Sequence, residues 1–210
     1  MSIPAVSKEN NHSEPIIASG TLGIIILIIT ECMFYAGFIS GYLVNRIDSS
    51  LPWPPPGQPR LPLEMSTLNS IVLILSGILL FIATRKIAQV KGDISRFTAM
   101  NESVSKIKRL VLISILLGIL FLLIQGAEWV KMLGFGVTTR SSLFAAYFYL
   151  LIGLHGIHVT FGLVALITNY LSFNKYQNEK RYSLRLVYTG YYWYFVVLLW
   201  PILYYLLYIL

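Results

Sequence analysis

The chain has 210 residues, of which 56% are hydrophobic and only 12% are charged, with a net charge of +7. The charged share is about half of the roughly 25% that is typical of soluble proteins, which excludes a disordered chain and an ordinary water-facing globule. Nucleic-acid binding is not indicated either, because the basic residues lie in short segments between apolar runs rather than on one continuous face.

Five apolar stretches are each long enough to cross a hydrocarbon core of about 30 Å, which needs about 20 helical residues. In lipid, a helix satisfies every backbone N–H and C=O group within its own segment. The sequence therefore predicts an all-α, polytopic membrane helix bundle, with a tail over residues 1–15 and one domain over residues 16–210. The predicted transmembrane spans cover residues 16–44, 67–84, 110–130, 143–173 and 186–210.

Basic residues are unevenly shared between the two sides of this bundle. Twelve of the sixteen Lys and Arg residues lie in the tail, the second connection and the fourth connection. Because Lys and Arg favour the cytoplasmic side, we expect the N-terminus inside and the C-terminus outside. The first span is too long for the core of a cleaved signal, so we expect it to be retained. An unprocessed N-terminus together with the uneven distribution of basic residues favours the plasma membrane of a bacterium or archaeon.

The first span carries Glu31 about midway along its length. A carboxylate at that depth adds roughly 2.5 to 3.5 kcal/mol to the free energy of insertion, so we expect a protonated or paired side chain. At about 100° per residue, Tyr35, Phe38 and Tyr42 share its helical face, which favours contact with another helix. Two roles stay open: packing specificity through a neutral carboxyl, or a position that binds a proton or ligand.

Gly37 and Gly41 form a Gly-x-x-x-Gly pattern in the same span. Small residues at this spacing let two helix backbones approach closely. We interpret the pattern as helix packing rather than chemistry. The connection that follows contains Trp53 and is rich in proline, which predicts an extended cap at the outer side of the bundle.

Gln125 and Glu128 lie one turn apart at the outer end of the third span. A carboxyl at that depth can reach water, so we expect Glu128 to be a solvated acid at the end of the helix. Pairing of Glu128 with Lys131 or Arg140, on the same side of the membrane, is the alternative.

His155 and His158 lie three residues apart near the middle of the fourth span, at a depth similar to that of Glu31. We therefore expect a buried polar cluster of Glu31, His155 and His158. As metal or haem ligands the two histidines lack partners, because the remaining histidine, His12, lies in the tail, and intramembrane hydrogen bonding is favoured. The single cysteine, Cys32, excludes an internal disulfide and a thiolate metal site.

No motif of the chain predicts a catalytic site. It has no Gly-rich phosphate loop, no His-Glu-x-x-His and no nucleophile elbow, and its membrane spans contain few titratable residues. The residues alone thus indicate a five-helix membrane subunit with a polar Glu/His cluster and no cofactor of its own.

Several blocks in fixed order carry a family resemblance. They are residues 30–38 (TECMFYAGF), 67–70 (TLNS), 125–128 (QGAE), 153–162 (GLHGIHVTFG) and 192–200 (YWYFVVLLW). Together they resemble subunit III of the haem-copper respiratory oxidases, the cytochrome c and quinol oxidases, in its five-helix form. Two positions of the last block depart from the family: Tyr194 stands where histidine is usual, and Val197 where aspartate is usual.

The resemblance implies a non-catalytic subunit of a translocase of the aerobic electron transport chain, which reduces oxygen to water. Haem and copper would belong to the partner subunits, and this chain would pack on subunit I, in a complex that also holds subunits II and IV. The role implied is to bind phospholipid and to sustain proton uptake and turnover. Glu31 matches the family's buried carboxyl, which is associated with bound lipid and an oxygen route.

Three other functions stay open at this stage. A related five-helix protein accompanies nitric oxide reductase and shares these motifs, so only the partner separates the two. A small membrane transporter in which Glu31 titrates would be active in vesicles without other subunits. A membrane cytochrome that uses His155 and His158 would show a haem spectrum from the isolated chain.

Overall fold

Long helices account for the secondary structure that the computed structural model describes. The structure describes residues 19–50, 52–53, 55, 63–89, 101–176 and 180–210. The helices are α1 (Ser19–Asp48), α2 (Leu63–Gln89), α3 (Asn101–Gly134), α4 (Leu143–Tyr176) and α5 (Lys180–Tyr204), and α5 runs into a π-helical turn at Tyr205–Ile209. Within these ranges five helices are long and apolar enough to cross a membrane, which confirms the all-α, five-span part of the prediction.

The helices extend beyond several of the predicted spans. α3 begins at Asn101 instead of residue 110, and α2 begins at Leu63 instead of residue 67. Hydropathy marks only the part of a helix that lies in hydrocarbon, whereas Glu, Lys and Arg are good helix formers and continue the helix beyond it. The predicted tail, residues 16–18 of the first span and most of the proline-rich connection lie outside the described residues.

Four helices pack in a ring, in which α2 contacts α3 and α5, and α4 contacts α3 and α5. α1 has few contacts with the other described helices, chiefly with α4 and α5, and therefore lies at the periphery. In the most apolar stretch of α1 only 6% of residues are buried, compared with 50% in the corresponding stretch of α5.

Trp193 of α5 joins the centre of the bundle. Its ring is fully buried between Gly118 of α3 and Gly162 of α4, where a Cβ atom would lie 2.9 Å and 2.7 Å from ring atoms. Its Nε1–H donates a hydrogen bond of 3.1 Å to Ser76 Oγ on α2. One side chain therefore contacts three other helices, and the two glycines provide the space for it.

Buried hydroxyl groups add further links between helices. Ser76 Oγ donates to the backbone oxygen of Ser114 on α3 at 2.9 Å, and Ser114 Oγ donates to the backbone oxygen of Ser76 at the same distance. Nearer the other end, Trp200 Nε1–H donates to Ser70 Oγ at 2.8 Å. Such contacts hold transmembrane helices together where lipid offers no hydrogen-bond partner.

The two glycines of the Gly-x-x-x-Gly pattern have different surroundings. A Cβ atom at Gly41 would lie 2.9 Å from the hydroxyl of Tyr147 on α4, so α1 and α4 approach closely there. A Cβ atom at Gly37 would meet nothing within 4 Å among the described residues. The structure therefore supports the packing interpretation for Gly41, whereas no described residue packs against Gly37.

The first residues of the proline-rich connection pack on the bundle. Trp53 Nε1–H donates to the Tyr42 hydroxyl at 3.0 Å, and the Trp53 ring meets the ring of Phe144 edge-on. The Tyr42 hydroxyl donates in turn to the backbone oxygen of Leu206 in the π-helical turn at 3.2 Å. This corner thus ties α1 to the end of α5.

Candidate functional site

Glu31 of α1 and His158 of α4 meet inside the membrane-spanning region. Glu31 Oε2 lies 2.9 Å from His158 Nε2. The side chains are 25% and 12% exposed, respectively, so the pair lies at the edge of the bundle rather than in its centre. Because α1 has few other contacts, this polar contact is one of the links that attach it to α4.

The hydrogen bonds of His158 determine how many protons the pair holds. His158 Nδ1 lies 2.6 Å from the backbone oxygen of Leu154, which can only accept, so Nδ1 carries a hydrogen. Nε2 of a neutral imidazole is then a bare acceptor, and the contact with Glu31 needs a protonated carboxyl. The alternative is an imidazolium beside a carboxylate. Either arrangement holds two protons and has no net charge, which avoids the cost of an isolated charge next to lipid.

Two tyrosines extend the pair. The Tyr35 hydroxyl oxygen lies 3.1 Å from His158 Nδ1 and can accept a share of its hydrogen. The Tyr192 hydroxyl donates to the backbone oxygen of His158 at 3.4 Å, which adds α5 to the site. Sequence reasoning placed Tyr35 on the face of Glu31 but did not identify Tyr192, which lies in an aromatic run.

His155 does not join Glu31 and His158. Its side chain is fully buried, with its ring stacked on Trp200 at 5.0 Å between centroids and edge-on to Phe121 at 6.0 Å. Neither ring nitrogen has a hydrogen-bond partner among the described residues. Residues three apart on a helix differ by about 60° in direction, so His158 faces α1 whereas His155 points between α3 and α5. The expected cluster of three is therefore a pair and a separate residue.

Glu128 lies in a second polar cluster and is not solvated. Only 4% of the residue is exposed, and Ser66 Oγ lies 2.9 Å from both carboxyl oxygens. Gln125 Nε2 donates to Glu128 Oε2 at 3.1 Å, and the Tyr208 hydroxyl donates to the same oxygen at 3.4 Å. The prediction of a water-exposed acid is wrong, because α2 and the π-helical turn cover this part of α3.

The charge of Lys131, one of the two alternative partners, acts on the Glu128 carboxyl from a distance. In the described ranges neither Lys131 nor Arg140 forms an ion pair with Glu128, and both residues are exposed. Asn69 of α2 extends the cluster instead, because its Nδ2 donates to Gln125 Oε1 and to the backbone oxygen of Phe121, both at 3.3 Å. Sequence reasoning missed Ser66, Asn69 and Tyr208. Ser66 and Asn69 lie three residues apart at the start of an apolar span, and this spacing was the signal in the sequence that could have predicted a polar contact there.

The two unusual positions of α5 both contact α2. The Tyr194 hydroxyl forms a hydrogen bond of 2.5 Å with Thr84 Oγ1. Val197 packs on Gly77, where a Cβ atom would lie 2.9 Å from a Val197 methyl carbon. This chain thus has a polar contact at the first position and close apolar packing at the second.

Both clusters can hold a proton on a carboxyl group and surround it with hydroxyl, amide or imidazole groups. Among the residues that the structure describes, no group of three or more His, Cys, Asp or Glu side chains lies close enough to hold a metal ion. The two clusters are therefore suited to hydrogen bonding between helices and to binding a proton inside the bundle.

Comparison with known proteins identifies the family. Cytochrome c oxidase subunit III is the family that matches, over residues 5–210 of the chain. The chain belongs to this family. The chain is 32% identical to "Cytochrome c oxidase subunit 3" of Synechocystis sp. over 192 residues, which cover 90% of this chain and 74% of that protein.

Relatives from distant organisms agree. The chain is 30% identical to "Cytochrome c oxidase subunit 3" of Mus musculus, with 92% of this chain and 70% of that protein covered. It is 29% identical to "Probable cytochrome c oxidase subunit 3" of Mycobacterium leprae, with 90% and 86% covered. The resemblance drawn from the sequence is confirmed, and the chain is a multi-pass accessory subunit of a haem-copper respiratory oxidase that associates with other oxidase subunits.

Proposed function

We propose that this chain is the cofactor-free, non-catalytic subunit of a terminal oxidase that reduces oxygen to water, and that it packs on subunit I. Haem and copper belong to the partner subunits in this proposal, and the electron donor is cytochrome c or quinol. The main support is the family match over almost the whole chain. The second support is the small buried share of α1, which leaves apolar helix surface free to contact another subunit.

The Glu31–His158 pair is the proposed site through which the subunit supports proton uptake and turnover and contacts lipid. Glu31 is partly exposed at the bundle edge, and the pair is neutral in both of its protonation arrangements. A neutral pair can lie against an acyl chain without the cost of an isolated charge. His155 is proposed only as a packing residue, and Gln125 and Glu128 as an interhelical hydrogen-bonding cluster.

A pull-down from membranes tests the oxidase assignment. The full chain carries a tag at its N-terminus, is extracted in a mild detergent, and its partners are identified by mass spectrometry together with a reduced-minus-oxidised spectrum. We expect subunit I, a haem spectrum and oxygen consumption in the same eluate. Co-purification with a nitric oxide reductase would assign the chain to that complex instead of an oxidase. A colourless chain without partners would favour the transporter function.

We also propose that the N-terminus lies in the cytoplasm of a bacterial or archaeal cell and that the C-terminus lies outside. Lys106, Lys108 and Arg109 at the start of α3 support this orientation. In a Cys32→Ser background, Ser105→Cys should react with a membrane-impermeant maleimide only in opened cells, and Thr139→Cys should react in intact cells. The reverse pattern would invert the proposed topology.

A further inference from the structure

An apolar groove runs between α2 and α5 on the outer surface of the bundle. It has a volume of about 460 Å³, with Ile74, Ile78 and Phe81 on the α2 side and Tyr194, Val197 and Pro201 on the α5 side. We call this the α2–α5 groove. Its rims are exposed, since Ile78 is 48% and Leu198 is 69% accessible, so the groove opens towards the lipid that surrounds membrane-spanning helices.

The inner surface of the α2–α5 groove presents carbon and almost no polar atoms. Gly77 forms part of its floor, where the close approach of Val197 leaves no space for a side chain. The one hydroxyl among the lining residues, that of Tyr194, is bonded to Thr84 Oγ1 at 2.5 Å. Tyr194 therefore offers mainly its ring to an occupant, and the groove suits a hydrocarbon chain.

A positive charge stands at one end of the groove. Ile74, Ile78, Phe81 and Arg85 are spaced by four, three and four residues, which places them on one face of α2. The Arg85 guanidinium carbon lies 4.8 Å from the centre of the Phe81 ring, at the mouth of the groove. In the described part of the chain no acidic side chain forms an ion pair with Arg85.

We propose that the α2–α5 groove and Arg85 bind one anionic phospholipid from the leaflet at the Arg85 end of α2. One acyl chain lies along the groove, and the phosphate accepts hydrogen bonds from the Arg85 guanidinium. The helix rise of about 1.5 Å per residue gives a path of roughly 16 Å from Arg85 to Ile74, which suits most of an acyl chain. The planar guanidinium matches the oxygens of a phosphate group.

The charge at the mouth of the groove favours a lipid over a partner helix. Acyl chains and helix side chains are equally apolar, so an apolar groove alone does not choose between them. A guanidinium at the end of a transmembrane helix adds attraction for a phosphate at the depth where headgroups lie. α2 and α5 form this site, whereas α1 and α4 form the Glu31–His158 pair, so failure of this proposal would leave the proposed function untouched.

Native mass spectrometry of the full chain, extracted with its complex, tests the proposal. The probes are phosphatidylglycerol and phosphatidylcholine with identical acyl chains. We expect one phosphatidylglycerol to be retained in preference to phosphatidylcholine. Arg85→Gln should weaken retention of phosphatidylglycerol about tenfold, as expected for loss of one charge-assisted hydrogen bond. The matched control is Arg109→Gln, which removes an equal charge on the same side of the bundle and should retain the lipid.

A second pair of variants tests the groove itself. Ile78→Trp should fill it and lower retention of both lipids, whereas Leu116→Trp, an exposed position on α3, should not. Unchanged retention in Arg85→Gln, or equal loss in Arg109→Gln, would overturn the proposal. A photo-reactive residue at position 78 should cross-link to lipid in the intact complex, and cross-linking to another subunit would show that a protein occupies the groove.

Discussion

At the scale of single residues, the Glu31–His158 contact is controlled by a backbone carbonyl. The Leu154 backbone oxygen holds a hydrogen of His158 on Nδ1, so Nε2 of a neutral imidazole needs a donor from α1. Burial next to lipid disfavours separated charges, and a protonated carboxyl that donates to Nε2 satisfies both groups. Sequence depth alone predicted a protonated or paired Glu31, but it could not give the tautomer of its partner.

Glu31→Gln should leave assembly intact and keep stability within about 0.5 kcal/mol of the wild type, because the amide can donate to Nε2 in place of the carboxyl. Glu31→Leu removes the donor and should cost about 1 kcal/mol. Both values can be measured by unfolding in mixed detergent. If Glu31→Gln costs several kcal/mol, the pair is an ion pair, because the amide would leave an uncompensated imidazolium.

Infrared spectroscopy separates the two protonation arrangements directly. The difference between wild type and Glu31→Gln should contain the C=O stretch of a carboxylic acid at the position of Glu31. A carboxylate band in that difference spectrum would contradict the neutral pair. A second difference spectrum, between wild type and Glu128→Gln, shows whether the carboxyl of the second cluster also contributes to the C=O band of the carboxylic acid.

Ser66→Ala should destabilise the fold by about 0.6 to 1.7 kcal/mol, the range for interhelical hydrogen bonds in membranes. Ser66 contacts both oxygens of the buried Glu128, and alanine offers no replacement donor. Ser40→Ala, at an exposed position of α1, is the matched control and should change little. Equal stability of the two variants in detergent unfolding would show that the Ser66 contact contributes nothing.

At the scale of elements, the attachment of α1 to α4 depends on Gly41 more than on Gly37. Gly41 lets Tyr147 approach, and Asn45 Nδ2 donates to the Tyr147 hydroxyl at 3.0 Å. Gly37 has open space around it among the described residues. The pattern in the sequence treats these positions as equivalent, whereas only the helix that lies opposite each one makes them different.

Gly41→Leu should destabilise the isolated chain by about 1 to 3 kcal/mol, because the added side chain displaces Tyr147. Gly37→Leu makes the same chemical change and gains helix propensity of up to about 1 kcal/mol, so it should be neutral or stabilising. The comparison is made by detergent unfolding of both variants. Equal destabilisation would contradict the assigned contact between α1 and α4.

At the scale of the whole molecule, α1 is attached to a bundle that is held together mainly by its other helices. Trp193, Ser76 and Ser114 join α2, α3, α4 and α5 through buried contacts. α1 has few buried residues, and its contacts with the other helices include those of Glu31, Tyr35 and Tyr42. Fewer contacts mean a lower free energy for local separation.

α1 should therefore leave the bundle before the remaining helices separate. A fluorescent pair on Cys32 and Leu116→Cys reports the distance from α1 to α3. A second pair on Leu116→Cys and Leu198→Cys, in a Cys32→Ser background, reports the distance from α3 to α5. In a titration with sodium dodecyl sulfate we expect the first pair to separate at a lower concentration, and coincident transitions would contradict a peripheral α1.

The amino-acid sequence by itself determined the membrane class, the five spans, the family and the face that Glu31 shares with Tyr35. Hydropathy and the helical repeat are local properties, so they set the depth and direction of each side chain. Only the tertiary structure decided that Glu128 is covered by Ser66 and Tyr208 and that His155 lies apart from His158. These outcomes depend on which distant helix covers a given face, and on a π-helical turn after α5, neither of which a local pattern specifies.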